Sequence, residues 1–173
     1  MPLPIVTIVG RPNVGKSSLF NALCGEPVSI VDSMPGVTRD RVSVITEWDG
    51  RYFEMVDTGG FGIVDRDDLA EDVERQIGYA IDQATLILFV VDVRDGVTEL
   101  DLRTARLLNG QQDRTMLLAN KVDEPNLESD VGEFLRLGFG DPYCVSAVNG
   151  FGQSDLKDLI LARLDSLASE TPE

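Results

Sequence analysis

Residues Gly10-Arg11-Pro12-Asn13-Val14-Gly15-Lys16-Ser17 set two glycines, a lysine and a hydroxyl at the spacing G-x-x-x-x-G-K-[ST]. They lie between the short apolar run Ile5–Val9 and the amphipathic stretch Lys16–Cys24. The chemistry of such a loop requires a strand before it and a helix after it. The glycines let backbone N–H groups close around phosphate oxygens, and the N-terminus of the following helix adds favourable partial charge.

The rest of the chain extends that strand-to-helix alternation. Further apolar runs at Tyr52–Val56, Leu86–Val93, Thr115–Ala119 and Pro142–Val145 are short and rich in β-branched or aromatic residues, as buried strands are. Helix-like segments fall at Leu69–Ala84, Leu100–Leu108, Leu127–Leu137 and Gln153–Leu167. Strand and helix in turn predict a mostly parallel sheet covered on both faces. The pair Asp49-Gly50, between Val42–Trp48 and Arg51–Val56, predicts a hairpin and therefore one antiparallel strand. The expectation is an α/β fold with a six-stranded sheet, and Trp48 beside the turn reads as a packing residue. Two long connections, Glu26–Arg41 and Thr58–Asp67, read as structureless loops of the functional kind. Residues 1–168 read as one domain and 169–173 as the start of a linker.

Composition excludes several chemistries. The chain has 173 residues, 43% of them hydrophobic, which suits one domain with a sizeable core. It contains no histidine, so no histidine-based general base, triad or metal site is available. Cys24 and Cys144 read as reduced thiols. A formal net charge of −15 makes the surface a poor one for wrapping nucleic acid, so direct RNA contact by this domain is not expected to dominate any partnership. No basic leader precedes the first apolar run, which is far too short to span a bilayer. A cytoplasmic chain without a membrane anchor is the expectation.

Four further motifs follow the phosphate loop in order. In the loop itself, Lys16 would bridge the β- and γ-phosphates of a nucleotide and Ser17 would ligate Mg²⁺. Gly10, Asn13, Val14, Gly15 and Ser18 complete the phosphate-binding set. Asp57-Thr58-Gly59-Gly60 ends an apolar strand; Asp57 would hold the Mg²⁺ shell through a water, and Gly60 would offer its N–H to the γ-phosphate. Thr38 would close its hydroxyl onto Mg²⁺ and its N–H onto the γ-phosphate, and relax when that phosphate leaves. Lys16, Thr38 and Gly60 are thus the candidate catalytic residues. Asn120-Lys121-Val122-Asp123 also ends a strand. There Asp123 can accept the N1–H and N2 amino hydrogens of guanine, a pairing adenine lacks. Lys121 would lie along the ring, and Asn120 would brace the loop against the phosphate loop. Ser146-Ala147 would present a backbone N–H to the guanine O6.

These five motifs in this order resemble the translation-factor-class GTPases over essentially the whole chain. Gly10–Phe20 (GRPNVGKSSLF), Pro35–Arg41 (PGVTRDR) and Asp57–Gly60 (DTGG) resemble, more narrowly, the first G domain of the Der (EngA) family of ribosome-assembly GTPases. The resemblance implies a Ras-like P-loop GTPase fold, GTP and GDP as ligands with Mg²⁺, and action on the large ribosomal subunit or its precursor. Members of that family carry two tandem G domains and a KH-like domain, with D-T-G-G in the first G domain where the second has D-T-A-G. The resemblance therefore implies that the second G domain and the KH-like domain lie outside this chain.

Ras-like enzymes place a glutamine after D-x-x-G to orient the attacking water, and here that position is Phe61. Der-like members share this hydrophobic replacement. The water-orienting group stays open, with Arg39 or Arg41 as a candidate internal finger. Related GTPases with an asparagine at the position of Asn13 bind K⁺ beside the phosphates, where a cation would stabilise the charge that grows between them. Two functions remain open on the residues: a GTP-hydrolysing switch, slow alone and accelerated by K⁺ or a partner, and a non-hydrolysing module shaped by its guanine nucleotide. Asp123 disfavours a third, an ATPase.

Overall fold

The computed structural model describes residues 3–25, 29–30, 42–58, 69–121, 123 and 132–170. Its elements run β1 (Ile5–Val9), α1 (Lys16–Cys24), β2 (Ser29–Ile30), β3 (Val42–Trp48), β4 (Arg51–Asp57), α2 (Leu69–Gln83), β5 (Leu86–Asp92), α3 (Glu99–Leu107), β6 (Thr115–Asn120), β7 (Tyr143–Cys144) and α4 (Gln153–Glu170). The strands form one sheet in the order β2-β3-β4-β1-β5-β6-β7. Strand β1 pairs in parallel with β4 and β5, β5 with β6, and β6 with β7. Among the described strands only β3 runs against the others, antiparallel to both β2 and β4.

Period-two alternation explains why helices cover both faces. Every residue of β5 is buried. Leu86, Leu88 and Val90 point to one side, where they join Leu19 and Leu23 of α1 and Leu156 and Ile160 of α4. Ile87, Phe89 and Val91 point to the other, against Val73 and Ile77 of α2 and Ala105 of α3. Phe89 is fully buried and meets Phe139 edge-on, with ring centroids 5.7 Å apart. Burying aromatic and branched side chains of this size contributes about 1.5–3 kcal/mol each, which makes this doubly covered strand the fold's main apolar anchor.

The Asp49-Gly50 hairpin is present. Both residues take positive φ, 51° and 79°, the combination a two-residue primed turn requires, and Trp48 pairs with Arg51 across it. Trp48 packs as expected: 8% exposed, it meets Phe53 at 4.6 Å between centroids and donates from Nε1 to the Leu23 carbonyl at 3.2 Å.

The structure corrects three expectations. The sheet has a seventh strand, because Ser29 and Ile30 pair with Ile45 and Val44 inside the connection read as structureless. Two residues carry no periodicity, so sequence alone offers no signal for such a piece. The segment read as a helix over Leu127–Leu137 is a 3-10 turn over 132–137, with 127–131 outside the described residues. Phe134 and Leu137 are both buried there, and their i, i+3 spacing suits a three-residue turn as well as an α-helix. Helix α4 continues to Glu170, past Leu167.

No helix among the described residues is long and apolar enough to cross a membrane. Both cysteines are reduced thiols; burial pushes the Cys24 thiol up to about 12, which makes it unreactive.

Candidate functional site

Parallel strands deliver their C-terminal ends to one edge of the sheet, and β1, β4, β5 and β6 bring the motifs there. The phosphate loop leaves β1. Gly10 has φ 152°, and a Cβ on it would stand 2.6 Å from the Val90 carbonyl oxygen of β5. Gly15 has φ 89°, and a Cβ there would run into Asn120 Nδ2. Only glycine lets the loop pass that close to the sheet. Gly15→Ala should therefore expel the Asn120 amide from its place and weaken nucleotide binding at least tenfold, at a cost of about 1–2 kcal/mol for the left-handed backbone alone. Titration of a fluorescent guanine nucleotide checks this; wild-type affinity in the variant contradicts it.

The start of α1 is uncapped. Its N-cap, Gly15, has no side chain to cap it, and no acidic residue lies in the first turn. Helix α3 shows the opposite treatment, a full capping box in which Asp101 N donates to Thr98 Oγ1 at 3.3 Å and Thr98 N donates to Asp101 Oδ2 at 3.0 Å. Helix α1 thus presents its orphan N–H groups and the positive end of its dipole to an incoming anion.

Lys16, 7% exposed, folds back along the loop and donates to the carbonyls of Gly10 at 2.5 Å and Arg11 at 2.9 Å. Burial pulls its ammonium down to about 8 from 10.5, against the opposing pull of Asp57 and Asp72. Ser17 Oγ donates to Asp57 Oδ2 at 2.9 Å, and Asp57 is 1% exposed at the end of β4.

This pair suits Mg²⁺. The hydroxyl and carboxylate are hard oxygen donors placed beside the lysine, and no described group of three or more acidic, His or Cys residues forms a self-sufficient metal cage. Mg²⁺ prefers one or two protein oxygens, with phosphates and waters supplying the rest.

The base-reading motif lies across the loop. Asn120, 1% exposed, donates from Nδ2 to the Val14 carbonyl at 2.9 Å and accepts at Oδ1 from the Ala147 N–H at 3.2 Å, so one side chain ties three segments together. Lys121, at φ 69°, reaches the Asn13 carbonyl at 2.7 Å and the Asp92 carboxylate at 2.8 Å. Asp123 accepts from Ser146 Oγ at 2.6 Å and pairs with Arg94. The exposed Asn13 and Ser18 lie on the loop and on the first turn of α1. Thr38, Gly59, Gly60, Phe61, Arg39 and Arg41 lie outside the described residues, and so does Val122.

Several residues of the site escaped the motif reading. The turn after β5, Asp92-Val93-Arg94-Asp95, alternates its charges so that Asp92 takes Lys121, Arg94 takes Asp123, and Asp95 takes Arg11 at 2.8 Å. Arg11 also lies 3.4 Å from the buried Asp101, whose carboxyl is raised by that burial despite the hydrogen bonds from Thr98 and the charge of Arg11. Gln76 of α2 accepts from the Gly10 N–H at 3.2 Å and donates to Asp72 at 2.9 Å. Thr58 Oγ1 donates to the Ile8 carbonyl at 2.7 Å and stands 3.0 Å from Gln76 Oε1. A sequence signal existed for the first group: an acidic residue closing a wholly apolar strand at the sheet's functional edge.

Chemically, the edge can take up phosphate at one end and a base with paired donors at the other. Comparison with known proteins gives the family. The family model for 50S ribosome-binding GTPases matches residues 5–121. GTPase Der of Limosilactobacillus reuteri is 48% identical over 161 residues, covering 93% of this chain and 37% of that protein. GTPase Der of Bacteroides fragilis is 46% identical over 166 residues, covering 96% and 38%. The chain thus spans well under half the length of these relatives. Among solved structures, Era in complex with MgGDPNP and nucleotides 1506–1542 of 16S ribosomal RNA superposes with a TM-score of 0.70 at 26% identity, over 94% of this chain and 57% of that one. The cytosolic domain of the T. maritima FeoB iron transporter in its GMPPNP form gives 0.65 at 26% identity, over 92% and 63%. The resemblance to Der read from the motifs is borne out, and the chain belongs to the 50S ribosome-binding GTPase family.

Proposed function

We propose that this chain binds GTP with Mg²⁺, hydrolyses it to GDP and phosphate, and acts as a switch in assembly of the large ribosomal subunit. In this reading it is the first of two tandem G domains, residues 1–168 with the linker beginning at 169, and it works in the cytoplasm. The observation that carries it is the pairing, across one bridging side chain, of an uncapped helix with the buried Lys16 and a carboxylate at Asp123. A phosphate tail fits the first and a guanine edge fits the second.

Each residue then has a task. The N–H groups of the loop Gly10–Ser18 surround the β-phosphate while Lys16 leaves its two carbonyls for phosphate oxygens. Ser17 and Asp57 would hold Mg²⁺, directly and through a water; bound there, it neutralises charge on the β- and γ-phosphates. Asp123 reads guanine, and the Ala147 N–H, which donates to Asn120 Oδ1 in the structure, turns to the guanine O6. Thr38 and Gly60 complete the γ-phosphate contacts and report its loss. Asn13 offers a side-chain oxygen to K⁺ beside the phosphates.

Phosphate release from GTP, followed in matched K⁺ and Na⁺ buffers with Mg²⁺, tests the scheme. Multiple turnover is expected, faster in K⁺. Equal rates in the two salts would remove the role of Asn13. Tight GTP binding with no turnover in either would leave a non-hydrolysing interaction module.

A further inference from the structure

Nearly every described Lys or Arg has its charge engaged inside the fold: each pairs with a carboxylate, donates to a backbone carbonyl or, as Lys157 does, lies over the Trp48 ring. Arg106 and Arg136 are the exceptions. Both are exposed, and their side chains have no ion pair, hydrogen bond or ring contact among the described residues. Thirty positions apart in sequence, they line the same groove, of about 470 Å³.

The groove's surroundings sharpen the contrast. The chain has 30 Asp and Glu, yet none of those among the described residues lines this cavity. Leu102, Ala105 and Leu137 supply an apolar strip, and Asn109 and Gln112 supply side-chain amides. One wall is the C-terminal half of α3 with the residues leading into β6; the other is the segment leading to β7. Because β1, β5 and β6 are parallel and the phosphate loop leaves the C-terminal end of β1, the groove lies toward the opposite edge of the sheet. A ligand there does not compete with nucleotide.

Two guanidinium groups without a partner among the described residues are electrostatically complementary to an anion. A guanidinium offers a planar fork to phosphate oxygens and a flat face to a base, and apolar surface beside it suits a stacked base. We propose that this groove is a second site that grips single-stranded RNA, with Arg106 and Arg136 on phosphodiester oxygens and a base against Leu102, Ala105 and Leu137. It is a local anchor of two phosphates, compatible with an acidic surface that repels RNA elsewhere. The choice of RNA over an acidic peptide rests on the ribosomal reading above.

The test uses a short fluorescein-labelled uridine-rich RNA and the whole chain saturated with GDP and Mg²⁺, so that the phosphate loop is filled. Fluorescence anisotropy between about 50 and 200 mM salt should show binding. The variant R106E/R136E should bind at least tenfold more weakly and lower the slope of log affinity against log salt by about 1.4, at ~0.7 for each phosphate no longer neutralised. Arg51→Glu, which alters a pair on another part of the surface, should leave binding as it was. GTP hydrolysis by the double variant should be unchanged, since neither arginine touches the nucleotide site. The proposal is overturned if the wild type binds no RNA, if the double variant binds as well as the wild type, or if a polyglutamate peptide occupies the groove and the RNA does not. Co-sedimentation with large ribosomal subunits separates the two ideas: RNA held in the groove by a chain that never co-sediments defeats the ribosomal reading alone. Co-sedimentation without RNA binding defeats the groove alone.

Discussion

Asp123→Asn converts the chain from a guanine to a xanthine nucleotide binder, with GTP affinity down about 10²–10⁴-fold and xanthosine triphosphate the preferred ligand. In the wild type the carboxylate can accept both the N1–H and the N2 amino hydrogens of guanine. Hydrogen bonds to a charged partner contribute about 1.5–3 kcal/mol each, so losing two gives that range at 1.4 kcal/mol per tenfold. Asparagine instead places an N–H₂ group where xanthine carries a second carbonyl, and the discrimination reverses. The substitution is mild for the fold. Asp123 is held by Ser146 Oγ, which can bond to an amide as well, and its other partner is Arg94, a pair with 54% of the arginine side chain exposed. Exposed pairs contribute little, about 0–1 kcal/mol. Competition between fluorescent GDP and XDP on the variant decides the matter. Retention of wild-type GDP affinity would mean that Asp123 does not read the base.

That prediction depends on a residue legible in the sequence, and the contrast with its neighbours shows why. Asp123 and Asn120 were readable because a fixed local spacing at the end of an apolar run carries its own chemistry. Strand β5 was readable because seven consecutive residues are buried on both faces. The phosphate loop was readable because only glycine satisfies Gly10 and Gly15. The clasp formed by Asp92, Arg94 and Asp95 was not. Its meaning lies in which distant partners three charges meet, and the Arg11–Asp95 hydrogen bond spans 84 positions. Gln76 and Asp72 were hidden for a related reason. On an amphipathic helix a polar residue reads as solvated, yet Gln76 is 3% exposed and Asp72 6%, because the helix turns them toward the loop's amide and hydroxyl. Side-chain pairing between segments has no period, so no pattern along one segment announces it. The two-residue strand β2 and the 3-10 turn over 132–137 fail differently: they are shorter than the windows over which periodicity accumulates.

Lys16→Met should abolish productive nucleotide binding and, at the same time, change how the nucleotide-free chain responds to pH. The first effect follows from the loss of charge-assisted bonds to phosphate, about 10–100-fold in affinity for each 1.5–3 kcal/mol bond. The second follows from burial. Lys16 titrates near 8 in the folded chain against 10.5 for a solvated lysine. Between those values the unfolded chain holds a proton on this residue that the folded chain has released, so stability rises with pH across that window. Below about pH 8 both states are protonated and the burial cost is fully present; above about 10.5 neither is, and the cost is gone. A shift of this size corresponds to ~3 kcal/mol. Methionine has no proton to release, so from pH 8 to 10.5 the wild type should gain about 3 kcal/mol relative to K16M. Comparing the two proteins cancels the titration of every other group. Thermal unfolding of both, nucleotide-free, at several pH values reads the difference, and parallel curves would rule out the strained lysine. The sign also matters for function. An incoming phosphate adds its negative charge to that of Asp57 and Asp72 beside the buried ammonium, pulls the Lys16 pKa back up and takes up a proton. Nucleotide affinity of the wild type should therefore fall as pH climbs above about 8. The same desolvation that costs the empty loop stability makes Lys16 wait for a phosphate, and binding energy offsets it.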